Sequence, residues 1–161
     1  MEQKEGFGAV LLKLQSSVLF VAVALVGCSS NTIDVGQAER EWLKKVDYCM
    51  DLAYQNEVVL PESSWLKSLS ISEQQTVAGY LANYNDRQCF KVETDRFLRA
   101  IQEQDAKELF NRYSEDLTPL DIQAKERMKG IDMERLMDLQ KQFSQPFNLR
   151  YVIETEGWGR K

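Results

Sequence analysis

The chain of 161 residues contains no histidine. That absence removes the side chain most often used as a general base near neutral pH. With it go the Ser-His pair of acyl-transfer enzymes and the imidazole ligand of most zinc sites. Cysteine is scarce too: Cys28, Cys49 and Cys89 are the only three, with no CxxC spacing, so no metal site is expected. No glycine-rich phosphate loop is present, and no cofactor is implied. Neither sign of charge runs together. The 20 Lys and Arg are interspersed with 25 Asp and Glu, for a net charge of −5. This reads as solvated helix surface rather than a face for nucleic acid. The longest apolar run, Val18–Val26, has nine residues, whereas a membrane-spanning helix needs about 20. Internal repeats and low-complexity segments are also missing.

What is present begins with that run. Nine apolar residues match the h-region of a secretory leader, with Lys13 and Lys4 on the N-terminal side. Glu2 and Glu5 balance the two lysines, which departs from the basic n-region of such leaders. The run ends in Leu25-Val26-Gly27-Cys28. This tetrapeptide resembles the lipobox of bacterial lipoproteins, in which the cysteine receives a diacylglyceryl group and becomes the mature N-terminus. In many bacteria an amide-linked third chain, such as palmitate, follows. The resemblance implies a leader of residues 1–27, lipidation of Cys28, a short tether over 28–33 and one periplasmic domain over 34–161. Two or three acyl chains hold a protein on a membrane durably. By the same analogy, Ser29 after the cysteine favours the outer membrane, with the domain on its periplasmic face. Removing 27 of the 161 residues leaves 134, enough for one domain with a real core.

In an oxidising compartment the remaining pair, Cys49 and Cys89, reads as one disulfide. The loop closed is about 40 residues, for which chain entropy predicts about 4 kcal/mol.

Helical signals dominate the rest. Asp34 and Gln37 suggest a capping box, followed by Ala38, Trp42, Val46, Cys49 and Ala53 on one face of a helix of about 20 residues. Glu57–Leu60 ahead of Pro61 is a brief strand or a packed loop. A short turn over Ser64–Leu69 follows. Ser70 with Glu73, or Ser72 with Gln75, starts a helix whose inner side holds Val77, Leu81 and Tyr84, and which weakens at Asn83, Asn85 and Asp86. Thr94 or Asp95 begins another, with Phe97, Leu98 and Ile101 inward and a break near Gln102–Asp105, where Asp105 and Glu108 suggest a second box. Thr118-Pro119 starts a helix running to Gly130, and Asp132 restarts one that ends before Pro146. The fold class is therefore mainly α: a compact domain of about four to six helices, one disulfide and a short C-terminal β-strand. That strand is read from Phe147, Leu149, Tyr151 and Ile153, which alternate with more polar positions. It pairs with Glu57–Leu60 or stays open to take up a partner strand. Trp158 is expected to be exposed in a loose end. Phe147, Leu149, Tyr151, Ile153 and Trp158 are accordingly the candidate partner-binding residues.

Catalytic patterns are thin. Ser64-Trp65-Leu66-Lys67 matches the S-x-x-K of penicillin-recognising enzymes, but Ser-Asp-Asn and Lys-Thr-Gly are missing and 134 residues are too few for that fold. The chain is not expected to be an enzyme. In size, anchor and helical content it is similar in general architecture to pilotins, small lipoproteins that carry secretin subunits to the outer membrane by holding a peptide in a groove. No motif carries pilotin residues onto this chain. The expectation is a protein-binding adaptor or assembly factor with an envelope protein as partner. The alternative is a regulatory or ligand-binding lipoprotein, such as an activator or inhibitor of a cell-wall enzyme, with a small envelope hydrolase third. A peptide binder calls for an open groove, a small-ligand binder for a closed cavity, and a hydrolase for converging acids.

Overall fold

The computed structural model describes residues 33–159, all within the compact unit Asn31–Lys161. Cys28 and the leader lie outside the described residues. The described residues form nine helices and no strand. None of these helices is long and apolar enough to cross a membrane.

Helix α1, Val35–Gln55, begins where Asp34 accepts a hydrogen bond from the Gln37 N–H at 2.7 Å. Only this half of the expected box forms, because the Gln37 side chain donates to Glu41 instead. Ala38, Trp42 and Cys49 face inward and are buried. Glu57–Leu60 is irregular, with Leu60 buried, and leads to the short α2, Ser64–Ser68. Helix α3, Ile71–Cys89, opens on a complete capping box between Ser70 and Glu73. The Asn83–Asp86 stretch does not end it. Asn85 donates to the Leu81 carbonyl at 2.8 Å, and Arg87 donates to Asn83 and to the carbonyls of Glu115 and Thr118. These side chains are satisfied without unwinding the backbone.

Phe90 alone separates α3 from α4, Lys91–Glu103. Thr94 does not cap α4, since its hydroxyl donates back to the Phe90 carbonyl and accepts from Trp42 Nε1 at 3.0 Å. The expected break falls at Asp105, whose φ of 50° is left-handed. It does so without a side-chain cap on α5, Lys107–Arg112. Helix α6, Ser114–Leu117, and α7, Leu120–Gln123, are single turns. Beyond α7 the chain continues in turns to Gly130. There a φ of 89° reverses it before Asp132 caps α8, Met133–Gln140.

The C-terminal strand is corrected to a helix, α9, Leu149–Thr155. Asn148 decides this. Its side chain caps α9 by accepting from the Tyr151 N–H, while its own N–H reaches the Asn56 carbonyl at 2.9 Å and its Nδ2 the Tyr54 carbonyl at 3.0 Å. Asn56 returns a bond to the Pro146 carbonyl at 2.8 Å. The ends of α1 and α9 are thus clasped through backbone groups that a strand would have left unpaired. Val152 is fully buried, with Leu149 and Ile153 packed beside it. This is the i, i+3, i+4 pattern of a helix rather than alternation. Trp158 is also corrected: it is buried, its N–H donates to the Ile153 carbonyl, and its carbonyl accepts from Gln75.

Two apolar clusters hold the unit together. In one, Trp42 of α1 stacks on Phe97 of α4 with centroids 5.3 Å apart, and Tyr113 meets both edge-on. In the other, Val77, Leu81, Leu136, Phe147 and Val152 pack α3 against α8 and α9. Cys49 and Cys89 join the two regions at disulfide distance, with sulfurs 2.10 Å and Cα atoms 6.0 Å apart.

Candidate functional site

Helix α3 has two working faces. One buries Val77, Ala78, Leu81 and Ala82 in the core. Another carries Ser72, Thr76, Gly79, Asn83 and Asp86, spaced four, three, four and three residues apart. That spacing lines one side of a helix, and the residues are small or polar. Two adjoining concavities lie on this side. The first, of about 430 Å³, is walled by Tyr80, by Leu120, Ala124, Arg127 and Met128 of the α7 segment, and by Leu149. The second, of about 330 Å³, is walled by Met50, Ala53 and Tyr54 of α1, by Asp86, and by Phe147, Asn148 and Leu149. Gly79, Asn83 and Leu149 line both, so the two form one open groove across α3.

Gly79 is the floor of that groove. It sits in the interior of a 19-residue helix, and a Cβ added there would meet nothing within 4 Å. At one end of the groove stands Asp86. No described residue donates to its carboxylate, and its Oδ1 is shielded from solvent without a hydrogen-bond partner. Burial pushes its pKa from 3.8 up to about 6, because the charged form loses hydration that nothing replaces. No second carboxylate lines either concavity. In the first concavity Tyr80, also on α3, is shifted upward, first by burial and then by the nearby charge of Asp121.

The sequence-predicted residues distribute unevenly around this geometry. Leu149 lines the groove throughout and Phe147 closes one part of its wall. Tyr151 and Ile153 lie away from it on α9, and Trp158 belongs to the core. Cys49 and Cys89 are together, as expected from their pairing. Cys28 lies outside the described residues. In the S-x-x-K match, Lys67 is paired with Glu62 and no groove joins it to Ser64 as a nucleophile pair. Among the described residues no group of three or more Cys, Asp or Glu is placed to hold a metal ion.

Sequence reasoning missed Gly79, Asn83, Asp86 and Arg127. The available signal was the four-three spacing of small and polar residues on a helix whose other face is apolar. The asparagines within that stripe instead suggested a fraying end.

The arrangement defines a small all-helical domain, linked by one disulfide-distance pair and grooved across its central helix. No protein-family model, curated protein or solved structure matches the chain.

Proposed function

We propose that the protein is a lipoprotein anchored at the periplasmic face of the outer membrane, which binds an envelope protein as an adaptor or assembly factor in the manner of pilotins. The anchor rests on Leu25–Cys28. The binding role rests on one observation, the open floor at Gly79. A glycine inside a helix costs roughly 0.5–1 kcal/mol relative to alanine. Here no neighbour requires the missing Cβ, so packing gives no reason for it, whereas a groove that must admit another chain does. An open groove with mixed polar and apolar walls suits a peptide segment better than a small ligand, which calls for enclosure. A lone carboxylate offers no acid–base pair for hydrolysis.

A photo-crosslinking amino acid at Thr76, on the groove, is expected to capture a defined envelope protein in intact cells. The same residue at Met137, exposed on α8 and lining neither part of the groove, is expected not to. Capture from Met137 alone, or from neither site, contradicts the proposal. The anchor is checked separately by mass spectrometry of the mature N-terminus. A diacylglyceryl group on Cys28 supports it, and an unmodified Cys28 contradicts it.

A further inference from the structure

We propose that residues 119–130 form a strap that opens from α3 as one unit, latched by Arg87 and hinged at Gly130, and that its opening joins the groove to a third concavity beside Tyr84. The opening is a property of this chain alone and does not rest on what the groove binds.

The strap is held at few points. After the single turn of α7, residues 124–130 run in turns. No backbone hydrogen bond joins residues 119–130 to α3, α4 or α9. No ion pair among the described residues includes Lys125, Glu126, Arg127 or Lys129. Leu120, Ala124 and Met128 pack inward, and only Ala124 and Met128 are buried. Ile122 is 62% exposed. A segment with few buried apolar groups and no lateral backbone bonds opens more readily than the body it covers. At its far end Gly130 holds a φ of 89°, a conformation that a residue without Cβ enters and leaves freely.

Arg87 is the latch. It stands half-buried in the last turn of α3, and its guanidinium gathers the start of the strap. Nη1 donates to the Thr118 carbonyl at 2.6 Å, and Nη2 donates to the Glu115 carbonyl at 2.8 Å and to Gln123 Oε1 at 3.0 Å. Asn83 Oδ1 accepts from Nε at 2.7 Å and so holds the plane of the group. The rigid fork of arginine donors can serve several oxygens at once in this way. Among the described residues, Gln123 is the one strap side chain with a hydrogen bond outside the strap, and its Nε2 donates to the Glu115 carbonyl at 3.1 Å. Leu120 lines both the first concavity of the groove and a third one, of about 280 Å³, bounded by Tyr84, Phe90, Leu98 and Pro119. With the strap down, Leu120 stands between the two. With the strap lifted, Tyr80 and Tyr84, one turn apart on α3, line a single trough. The latch therefore sets how much of α3 is accessible.

Native-state hydrogen exchange followed by NMR on the whole chain, produced in an oxidising compartment, tests this. The amides of Ala124 and Met128 bond to the Leu120 and Ala124 carbonyls. They are expected to share one protection factor, roughly tenfold or more below that of Leu81 in the core of α3. Arg87→Ala should lower both together by roughly a further tenfold relative to Leu81. Because that variant also removes a bond within α3, Gln123→Ala loosens the latch from the strap side alone and should lower both by about threefold. A loss of protection at both amides relative to Leu81 in either variant supports the inference. Protection equal to that of Leu81 in the parent, a response at Ala124 without Met128, or no change relative to Leu81 in both variants overturns it.

Discussion

The α1–α4 contact and the outer side of α3 solve opposite problems. Between α1 and α4, Trp42, Phe97 and Tyr113 fill the interface with stacked and edge-on rings, and the indole N–H is satisfied by Thr94. The rings satisfy one another, and the concavity between the two helices, lined by Lys44, Lys45, Tyr48 and Val92, lies outside them. On the outer side of α3 the corresponding positions are small and polar, a glycine opens the floor, and a carboxylate has no partner. The first region spends its residues on stability, while the second gives stability up. Local departures from good packing and polar satisfaction concentrate where a protein must do something besides fold.

The largest effects should come from the closed region. Trp42→Ala is expected to cost about 3–5 kcal/mol, because a fully buried aromatic leaves a cavity among Phe97 and Tyr113. Urea denaturation followed by circular dichroism reads this directly. A loss below 1 kcal/mol would show that the aromatic cluster is not what holds α1 to α4. Next comes the cross-link between the two regions. Cys49→Ala with Cys89→Ala should lower stability by about 2–4 kcal/mol, and thiol titration of the unreduced parent should find neither Cys49 nor Cys89 reactive.

A smaller loss is expected at the clasp between α1 and α9. Asn148→Ala removes the cap of α9 and the bond to the Tyr54 carbonyl, together worth about 1–2 kcal/mol. Amide hydrogen exchange should accelerate at Val152 and Ile153 before it does at Phe97. Uniform acceleration would mean that α9 has no separate opening.

The open region should respond with the contrary sign. Asp86 has its pKa raised to about 6 by burial, so the folded state holds a proton that the unfolded state has lost between about pH 4 and pH 6. Stability falls as the pH rises through that window, and the penalty is complete above it. Asp86→Asn should remove this dependence. At pH 7 it should stabilise the fold by about 1 kcal/mol, a figure reduced for the partial exposure of the side chain. Below pH 4 it should change nothing. Parallel pH–stability curves for the parent and the variant would remove the case for an uncompensated carboxylate.

How much of this was legible depended on which side chains were doing the work. Helix α1 could be read because Ala38, Trp42 and Cys49 recur at helical spacing behind an Asp cap, and the Cys49–Cys89 pairing followed once the lipobox resemblance set Cys28 aside. The opening box of α3 was legible for the same local reason. Helix α9 was not. Over seven residues an alternating set and a helical set overlap, and what separates them is Asn148 bonding to residues about 90 positions away in sequence. The groove was hidden differently. Its floor is recognised by what is missing at Gly79 and by a donor missing at Asp86, and both become visible only when the neighbouring helices are in place. Apolar periodicity reports buried faces and is silent about a face left open.

The central claim is that α3 keeps this side open for a partner and not for folding. Gly79→Ala and Gly79→Leu test it in one experiment, with stability and partner capture from Thr76 measured on each. Alanine should raise stability by about 0.5–1 kcal/mol and weaken capture, because it adds the Cβ whose absence the partner requires. Leucine, whose Cβ meets nothing within 4 Å, should project into the groove and abolish capture. A leucine variant that folds normally and still captures the partner would contradict the account.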